Sequence, residues 1–508
     1  MFLKRVISYL KKNGVIYAFK SQYYQYRLEH GKGWQLCGFD IETIKKKKIN
    51  VDGKIKISIL VPIYNTPIDF LKEMLDSVLW QTYNNWELCI ADASDKWHSS
   101  VSDVCKVYCE KESRILYRKV IKNTGIVGNT NVCLSLSTGQ YIALLDHDDI
   151  LHPEALESVI KEIQDRGAEM IYTDEAIFEQ KLERIVSLQI KPGFSPENLR
   201  GCNYICHFCM FSRELLRQVG GYKEQFEGSQ DYDMVLRLTE RAKKISHIPK
   251  VLYYWRRHSG SVAEGISVKS YASEAGRKAV FEHIKRIDLP GDVSITKESE
   301  VVYRVKYKIE KEQEKMLPVA FNNDVNAYVA ENANFVLLIQ KNISFLNEED
   351  IQVLETFAHR QEIGIVTGTV ANSKGEILQG PNSITDEGEI MHLFKGHHMN
   401  SVSLMNRMLY AQNVEIVGAG FWMMRKELYQ QYAKEMQEEK YSTNSLQKIS
   451  LEIGKQGYQN IFVPWVKTVC KHKRKMDLGL KKLPVGYEGY MDKYANPSYR
   501  LLRKWIKI

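Results

Sequence analysis

The stretch Y-I-A-L-L-D-H-D-D, Tyr141 to Asp149, decides how the rest of the chain is read. Its apolar part, Tyr141 to Leu145, is long enough for a buried strand and too short to cross a membrane. It ends in Asp146, Asp148 and Asp149. Three carboxylates so close at a strand end repel one another unless a positive charge sits among them. A divalent cation such as Mg²⁺ or Mn²⁺ meets that need, because hard cations take carboxylate oxygens. An acidic turn capping the next helix meets it differently, since Leu151-His152-Pro153-Glu154 follows at once. In open α/β sheets, ligands bind beyond the carboxyl ends of the strands, where these acids fall.

Upstream, Ile55 to Pro62 (I-K-I-S-I-L-V-P) reads as a strand, and Ile68, Leu71, Met74, Leu75, Val78 and Leu79 recur at helical steps. Trp86 to Ala91 is a second strand ending at Asp92, and Ile115 to Val120 a third. Asn123-Thr124-Gly125 then turns into a helix from about Val127 to Leu136. Strand and helix alternating in this way predict a mostly parallel sheet with helices on both faces. Asn65, Asp92, Asp146 and Asp148 then line one sheet edge, the place for a nucleotide. No G-x-G-x-x-G and no P-loop lysine motif is present, which disfavours dinucleotide or ATP sites of those kinds. Downstream, Gly228-Ser-Gln-Asp231-Tyr-Asp233 precedes a helix, so Asp231 is either a cap or a general base toward a hydroxyl. Arg256, Arg257 and His258 end an aromatic segment. They either close over a pyrophosphate, with His258 as a further metal ligand, or form a solvated face.

Eight blocks, in order, strongly resemble glycosyltransferase family 2, above all its bacterial surface-polysaccharide members. They are I-S-I-L-V-P-I-Y-N-T-P, W-E-L-C-I-A-D, N-T-G-I-V-G-N-T-N, T-G-Q-Y-I-A-L-L-D-H-D-D, Y-T-D-E, N-Y-I-C-H, E-G-S-Q-D-Y-D and V-L-Y-Y-W-R-R-H-S-G-S. The resemblance covers about residues 55–265 and implies a GT-A fold (Rossmann-like α/β), an inverting mechanism and a nucleotide-diphospho-sugar donor. It implies that Pro62, Tyr64, Asn65 and Asp92 hold base and ribose, with Gly125, Asn131, Asp146 and Arg257 also on the donor side. It makes Asp148 the main metal ligand, aided by Asp146 and His258, and Asp231 the base. Tyr172, Asp174, Glu175 and Gln230 then face the sugar and the acceptor. Gln230 stands where many relatives carry Glu, and Asp92 is single where two adjacent acids are common.

The C-terminal half repeats the order of a family 2 domain's second half in N-F-V-L-L-I-Q-K-N-I-S-F-L-N, G-I-V-T-G-T-V-A-N and V-G-A-G-F-W-M-M-R. Phe335 to Ile339 and Ile363 to Thr367 read as strands, and Ile351 to Phe357 as a helix. At the strand end corresponding to Asp146-His147-Asp148 stand Gln340, Lys341 and Asn342, where a lysine repels a metal. The expected architecture is therefore a basic helical segment (1–54), a catalytic domain (55–265), a helical linker (266–300) and a truncated, chemically silent GT-A-like copy with a basic tail (301–508).

Composition, with 44% hydrophobic and 26% charged residues over 508 positions, is that of a globular protein with room for several cores. The net charge of +9 is uneven: residues 1–56 carry 13 Lys+Arg against 4 Asp+Glu, and residues 467–508 carry 12 against 3. Basic ends on an acidic middle suit an anionic surface and disfavour a nucleic-acid-binding body. Phe2, Leu3, Val6, Ile7 and Leu10 recur at helical spacing among lysines. They form either a helix lying on an anionic leaflet or one packed on the protein's own body. Lys45 to Lys48 reads as a solvated linker. With no apolar window of membrane-spanning length and no signal-peptide pattern, the expected location is cytoplasmic, peripheral at the inner membrane face. Cys202, Cys206 and Cys209, with His207 between, lack the second ligand pair of a zinc site and read as buried thiols. Two functions remain open: a metal-dependent transferase acting on a polysaccharide or lipid-linked oligosaccharide acceptor, and a non-catalytic scaffold in a polysaccharide assembly complex. The acids Asp146, Asp148 and Asp231 favour the first.

Overall fold

The computed structural model describes residues 22–23, 25–46, 51, 53–258, 266–309, 318–321, 325–329, 334–347, 349–401, 403–471, 479–484, 487 and 490–496. The amphipathic repeat from Phe2 to Leu10, the end of the Lys45–Lys48 run and the tail beyond residue 496 lie outside them. The described residues form two compact units: 22–194 with 203–287, and 195–202 with 288–508.

The first unit is built on a nine-stranded sheet. Its first half alternates β1 (Ile57–Ile63), α1 (Ile68–Leu79), β2 (Trp86–Asp92), α2 (Ser99–Lys111), β3 (Ile115–Lys119), α3 (Gly125–Leu136) and β4 (Tyr141–Leu144). The chain continues through β5 (Ile150–Leu151), α4 (Ala155–Arg166), β6 (Met170–Glu179), β7 (Lys181–Gln189) and, after an excursion, β8 (Cys209–Ser212). It ends with α6 (Arg213–Val219), α7 (Gln230–Arg241), β9 (Ile245–Arg257) and α8 (Ile266–Arg286). β1 and β2 are buried almost throughout, as strands covered on both faces must be, and so read as unbroken apolar runs. α1 buries Leu71, Met74, Leu75 and Val78, the stripe its spacing predicts.

The strand order is β3-β2-β1-β4-β8-β6-β9-β5, with β7 pairing β6. β3, β2, β1 and β4 are mutually parallel, and β6 pairs parallel with β9. β8, β7 and β5 run the other way. The result is a Rossmann-like α/β fold with a mostly parallel sheet. Crossovers from β1 step toward β3, whereas β4 lies on the other side of β1. The connections therefore reverse between β1 and β4, and the loops leaving these two strands open a crevice at their carboxyl ends.

The second unit contains another nine-stranded sheet. Its strands are β12 (Pro318–Phe321), β13 (Val325–Val329), β14 (Phe335–Gln340), β15 (Ile343–Phe345), β16 (Ile363–Asn372), β17 (Ile377–Gln379), β20 (Gln412–Val414), β21 (Phe421–Arg425) and β22 (Gln459–Cys470). Hairpins β10 (Gly291–Thr296)/β11 (Ser299–Tyr307) and β18 (Asn382–Ile384)/β19 (Ile390–His392) stand apart from it. Along β14-β21-β16-β22-β15 the pairings run antiparallel, antiparallel, parallel, antiparallel, with β17 antiparallel on β16. In β4-β8-β6-β9-β5 the sequence of directions is the same, with β7 on β6. Even the irregularity recurs: β9 skips register after Ile248, at Pro249, and β22 after Val463, at Pro464. The helices α9 (Glu349–Ala358), α10 (Lys426–Glu438) and α11 (Thr443–Lys455) fall where α4, α6 and α7 fall in the first unit. The internal repeat expected from the sequence is thus a repeat of topology.

An eight-residue stretch, 195–202, carries α5 (Pro196–Gly201) and is counted with the second unit. Glu197 there is 3% exposed and pairs with Arg200 and Arg360, while the Tyr307 hydroxyl donates to its Oε2 at 3.1 Å. Burial alone would raise the Glu197 pKa, but the two guanidiniums more than offset it and hold the carboxyl low. Asn413 Oδ1 accepts from Ser195 Oγ at 2.8 Å and from the Glu197 amide at 2.9 Å.

Candidate active site

The loops leaving β1 and β4 meet where Thr66 Oγ1 and His147 Nδ1 lie 3.0 Å apart. At the neighbouring β2 end, buried Asp92 accepts from the Ser94 amide at 2.8 Å, the Tyr117 hydroxyl at 2.8 Å and Lys119 Nζ at 3.0 Å. Burial works against its charge, yet these donors outweigh it and keep the carboxyl ionised below its ordinary range. Asn65 sits at φ 51° between them, its amide donating to Ser94 Oγ at 2.9 Å and its Nδ2 to Asp95 at 2.9 Å. Pro62 is the penultimate residue of β1, and Tyr64, just past the strand end, is exposed. Asn65, Asp92 and the β4 acids therefore line successive ends of adjacent parallel strands.

The three acids after β4 have separate surroundings. Asp149 is fully buried, and its oxygens accept from the Tyr253 hydroxyl and from the Arg256 amide at 2.7 Å. Burial, reinforced by the charges of Asp148 and Asp146, pushes its pKa well up, so it fastens this turn to β9. Asp148 faces the crevice with Oδ2 2.9 Å from His258 Nε2. Asp146 keeps 52% of its side-chain surface open, with Oδ2 3.3 Å from His207 Nε2.

Asp231 lies in the first turn of α7 and accepts from Asn203 Nδ2 at 2.9 Å. Gln230 folds back to accept the Gly228 amide at 2.9 Å, which shapes the helix entry. Gly228 has φ +86°, and a Cβ there would meet the Tyr271 ring at 2.5 Å. His207 stacks on Tyr253, ring centroids 4.9 Å apart, and its Nδ1 lies 3.9 Å from Glu175. The structure thus gathers Asp146, Asp148, His258 and, through the loop bearing His207, Asp231.

Other predicted residues have partners of their own. Glu175 pairs with Lys191, 3.1 Å away and 1% exposed. Asp174 is buried against His247 at 2.9 Å and the Lys191 amide at 2.9 Å. The buried Tyr172 hydroxyl donates to Pro192 O at 2.7 Å. Asn131 bridges α3 to the main chain of Tyr222, with contacts of 3.0 and 3.1 Å. Gly125 has φ +80°, and a Cβ there would meet Glu227 Oε1 at 2.6 Å; Glu227 occupies the α3 N-terminus, accepting from the Ile126 and Val127 amides at 2.7 and 3.0 Å. Arg257 is turned to Glu179. Its neighbour Arg256 is the one built into the site: it is 2% exposed, donates to Asp148 O at 2.6 Å and lies over Phe70 and Phe178. Sequence reasoning missed His207 and Lys191 as members of this region; the histidine in N-Y-I-C-H was the available signal.

Among the described residues, no group of three or more His, Cys, Asp or Glu side chains is placed to hold a metal ion unaided. Asp148 and His258 offer two donors on one edge. That set fits Mg²⁺ or Mn²⁺ bound in the usual way, through one or two protein groups plus substrate phosphates and water. All nine cysteines are free; Cys206 Sγ lies 3.7 Å from Asp231 and 3.4 Å from His207 Nδ1.

In the repeated unit the acids are absent from the matching positions. Five residues separate β4 from β5, but only Lys341 and Asn342 separate β14 from β15. Counting from the shared register skip, Asp174 and Glu175 correspond to Thr369 and Val370. Asp231, second in α7, corresponds to Asn444, second in α11.

Fold and site together define a Rossmann-like α/β domain with an acidic crevice at its switch point, joined to a second sheet domain. Residues 58–220 match the model of glycosyl transferase family 2. The chain is 42% identical over 235 residues to the uncharacterized protein y4gI of Sinorhizobium fredii, covering 45% of this chain and 25% of that protein. It is 33% identical over 255 residues to the O-antigen biosynthesis protein RfbC of Myxococcus xanthus, covering 50% and 20%. It is 29% identical over 238 residues to a chondroitin synthase of Escherichia coli, covering 46% and 33%. The matches thus span a third or less of each relative's length.

Proposed function

We propose that this protein is an inverting, metal-dependent glycosyltransferase. It moves a hexosyl or deoxyhexosyl group from a nucleotide-diphospho-sugar to a hydroxyl of a growing cell-surface polysaccharide. The observation that carries the reading is the convergence of Asp146, Asp148 with His258, and Asp231 on one crevice of a family 2 domain. Asn65 and Asp92 would receive base and ribose, with Asp146 toward the sugar. Asp148 and His258 would hold Mg²⁺ or Mn²⁺, which when bound neutralises charge on the departing diphosphate. Asp231 takes the proton of the acceptor hydroxyl as that oxygen attacks the far face of the anomeric carbon. Arg256 holds the Asp148 turn from behind through its carbonyl. One displacement inverts the anomeric centre.

The acceptor class is supported by two relatives, named for O-antigen biosynthesis and chondroitin synthesis. Lipid linkage and contact with the inner membrane face are supported by the basic flanks of the sequence; among the described residues no helix is long and apolar enough to cross a membrane. The test is isothermal titration of UDP, dTDP and GDP with and without Mn²⁺, followed by NMR of the transferred sugar's anomeric configuration. Metal-enhanced binding and an inverted product are expected. Binding indifferent to metal, or a retained configuration, would overturn the mechanism.

A further inference from the structure

The loop Asn203–His207 reaches both ends of the acid cluster, and its own footing is buried. Lys191 Nζ donates to the carbonyl of Ile205 at 2.8 Å and to that of His207, while its charge is matched by Glu175 at 3.1 Å. An ammonium at 1% exposure, with a carboxylate and two carbonyls around it, fixes those carbonyls because leaving any of them is costly. On that footing, Asn203 is oriented at both ends of its amide. Its Oδ1 accepts from the Cys206 amide at 3.4 Å, which leaves Nδ2 to donate to Asp231 Oδ2 at 2.9 Å. Cys206 Sγ approaches the same oxygen, at 3.7 Å. Among the described residues, no hydrogen bond falls on Asp231 Oδ1.

We infer that Asn203 is a positioning residue for Asp231: by occupying Oδ2 it stops the carboxylate from rotating and presents Oδ1 to the acceptor hydroxyl. The inference rests on the transferase reading above. The chemistry favours an amide in this role. A neutral donor orients a base without cancelling its charge, whereas lysine or arginine there would lower its basicity. Orientation matters because a proton acceptor works only within hydrogen-bond reach and in line with the proton it removes.

The test compares Asn203→Ala and Asn203→Asp in the full chain, with kcat, KM and donor affinity measured between pH 5 and 9. Titratable groups that feel the charge of Asp231 include Asp146 at the β4 end, Cys206 in the loop, Cys209 on β8, and Tyr222. Asn203→Ala should lower kcat about 10- to 100-fold, part of what a general base contributes, with nucleoside diphosphate affinity within about twofold of the parent. Asn203→Asp puts a second carboxylate beside the first. Two acids sharing a proton titrate higher, so the acid limb of kcat should move up by about one pH unit or more. A purely structural role would not move that limb. An unmoved limb in Asn203→Asp, or an Asn203→Ala kcat within about twofold of the parent, overturns the inference, and the near-isosteric Asp variant decides it should the Ala variant not fold. A parent protein that binds nucleoside diphosphate with Mn²⁺ but transfers nothing to any acceptor would instead defeat the transferase reading beneath it.

Discussion

Asp148 and Asp149 are neighbours in sequence, yet one faces the crevice beside His258 while the other is sealed under β9 by Tyr253 and the Arg256 amide. A run of acids shows that charge is crowded; only the side-chain partners show which acid is structural. Asp148→Asn should keep the turn and remove one anionic donor. Its affinity for UDP or GDP should then lose the enhancement by Mn²⁺, with metal-free affinity unchanged, as titration calorimetry would reveal. Asp231→Asn should bind donor as the parent does and lose about 10²- to 10⁴-fold in transfer, read by single-turnover assay. The alternation in the sequence was enough to place Asn65, Asp92 and Asp146 at strand ends. It did not reveal that Arg256 rather than Arg257 supports the turn, because a strand sends successive side chains to opposite faces and the sequence does not say which face is buried.

At the scale of elements, β1 to β4 lie within two residues of their expected bounds, because buried parallel strands are unbroken apolar runs with sharp polar ends. β9 was harder to read. It holds 13 residues and passes through Pro249, which has no N–H to give the ladder; the register skip there lets the strand continue. The repeated unit shows that a topology can persist after its charges are gone. It also holds a titrating group of its own. Asp492 accepts from the amides of Ile384, Tyr494 and Ala495, and burial, with Glu415 adding repulsion, raises its pKa to about 7. Since its folded pKa exceeds the unfolded value near 3.8, the folded state holds the proton more tightly. Stability from this group is present in full below that unfolded value and lost as pH rises toward about 7. Thermal unfolding between pH 4 and 8 should show the decline, and Asp492→Asn should flatten it.

At the scale of the molecule, the sequence suggested two bodies in succession, and the structure has one discontinuous pair. Residues 195–202 leave the stretch that builds the first unit and are counted with the second. Nothing in P-E-N-L-R-G announces this, because Glu197 looks like any acid in a helical turn until Arg360 is beside it. Glu197→Gln should cost about 1–3 kcal/mol in urea unfolding of the second unit, since it removes the buried carboxylate facing Arg200 and Arg360 and leaves Glu362, 2.7 Å away, to balance Arg360. Unchanged unfolding would show that Glu362 and solvent compensate.

That excursion also sets an order of events during synthesis. Glu197 and Arg360 are 163 positions apart in the chain. At ribosomal speeds of about 5–20 residues per second, the first waits on the order of ten to thirty seconds for the second. During that interval the nascent chain carries α5 before Arg360 has been made, and its other partner Asn413, on β20, follows later still. Slow codons or a bound chaperone between residues 203 and 360 would lengthen the wait, which makes this short helix the point where translation rate and correct assembly are tied together.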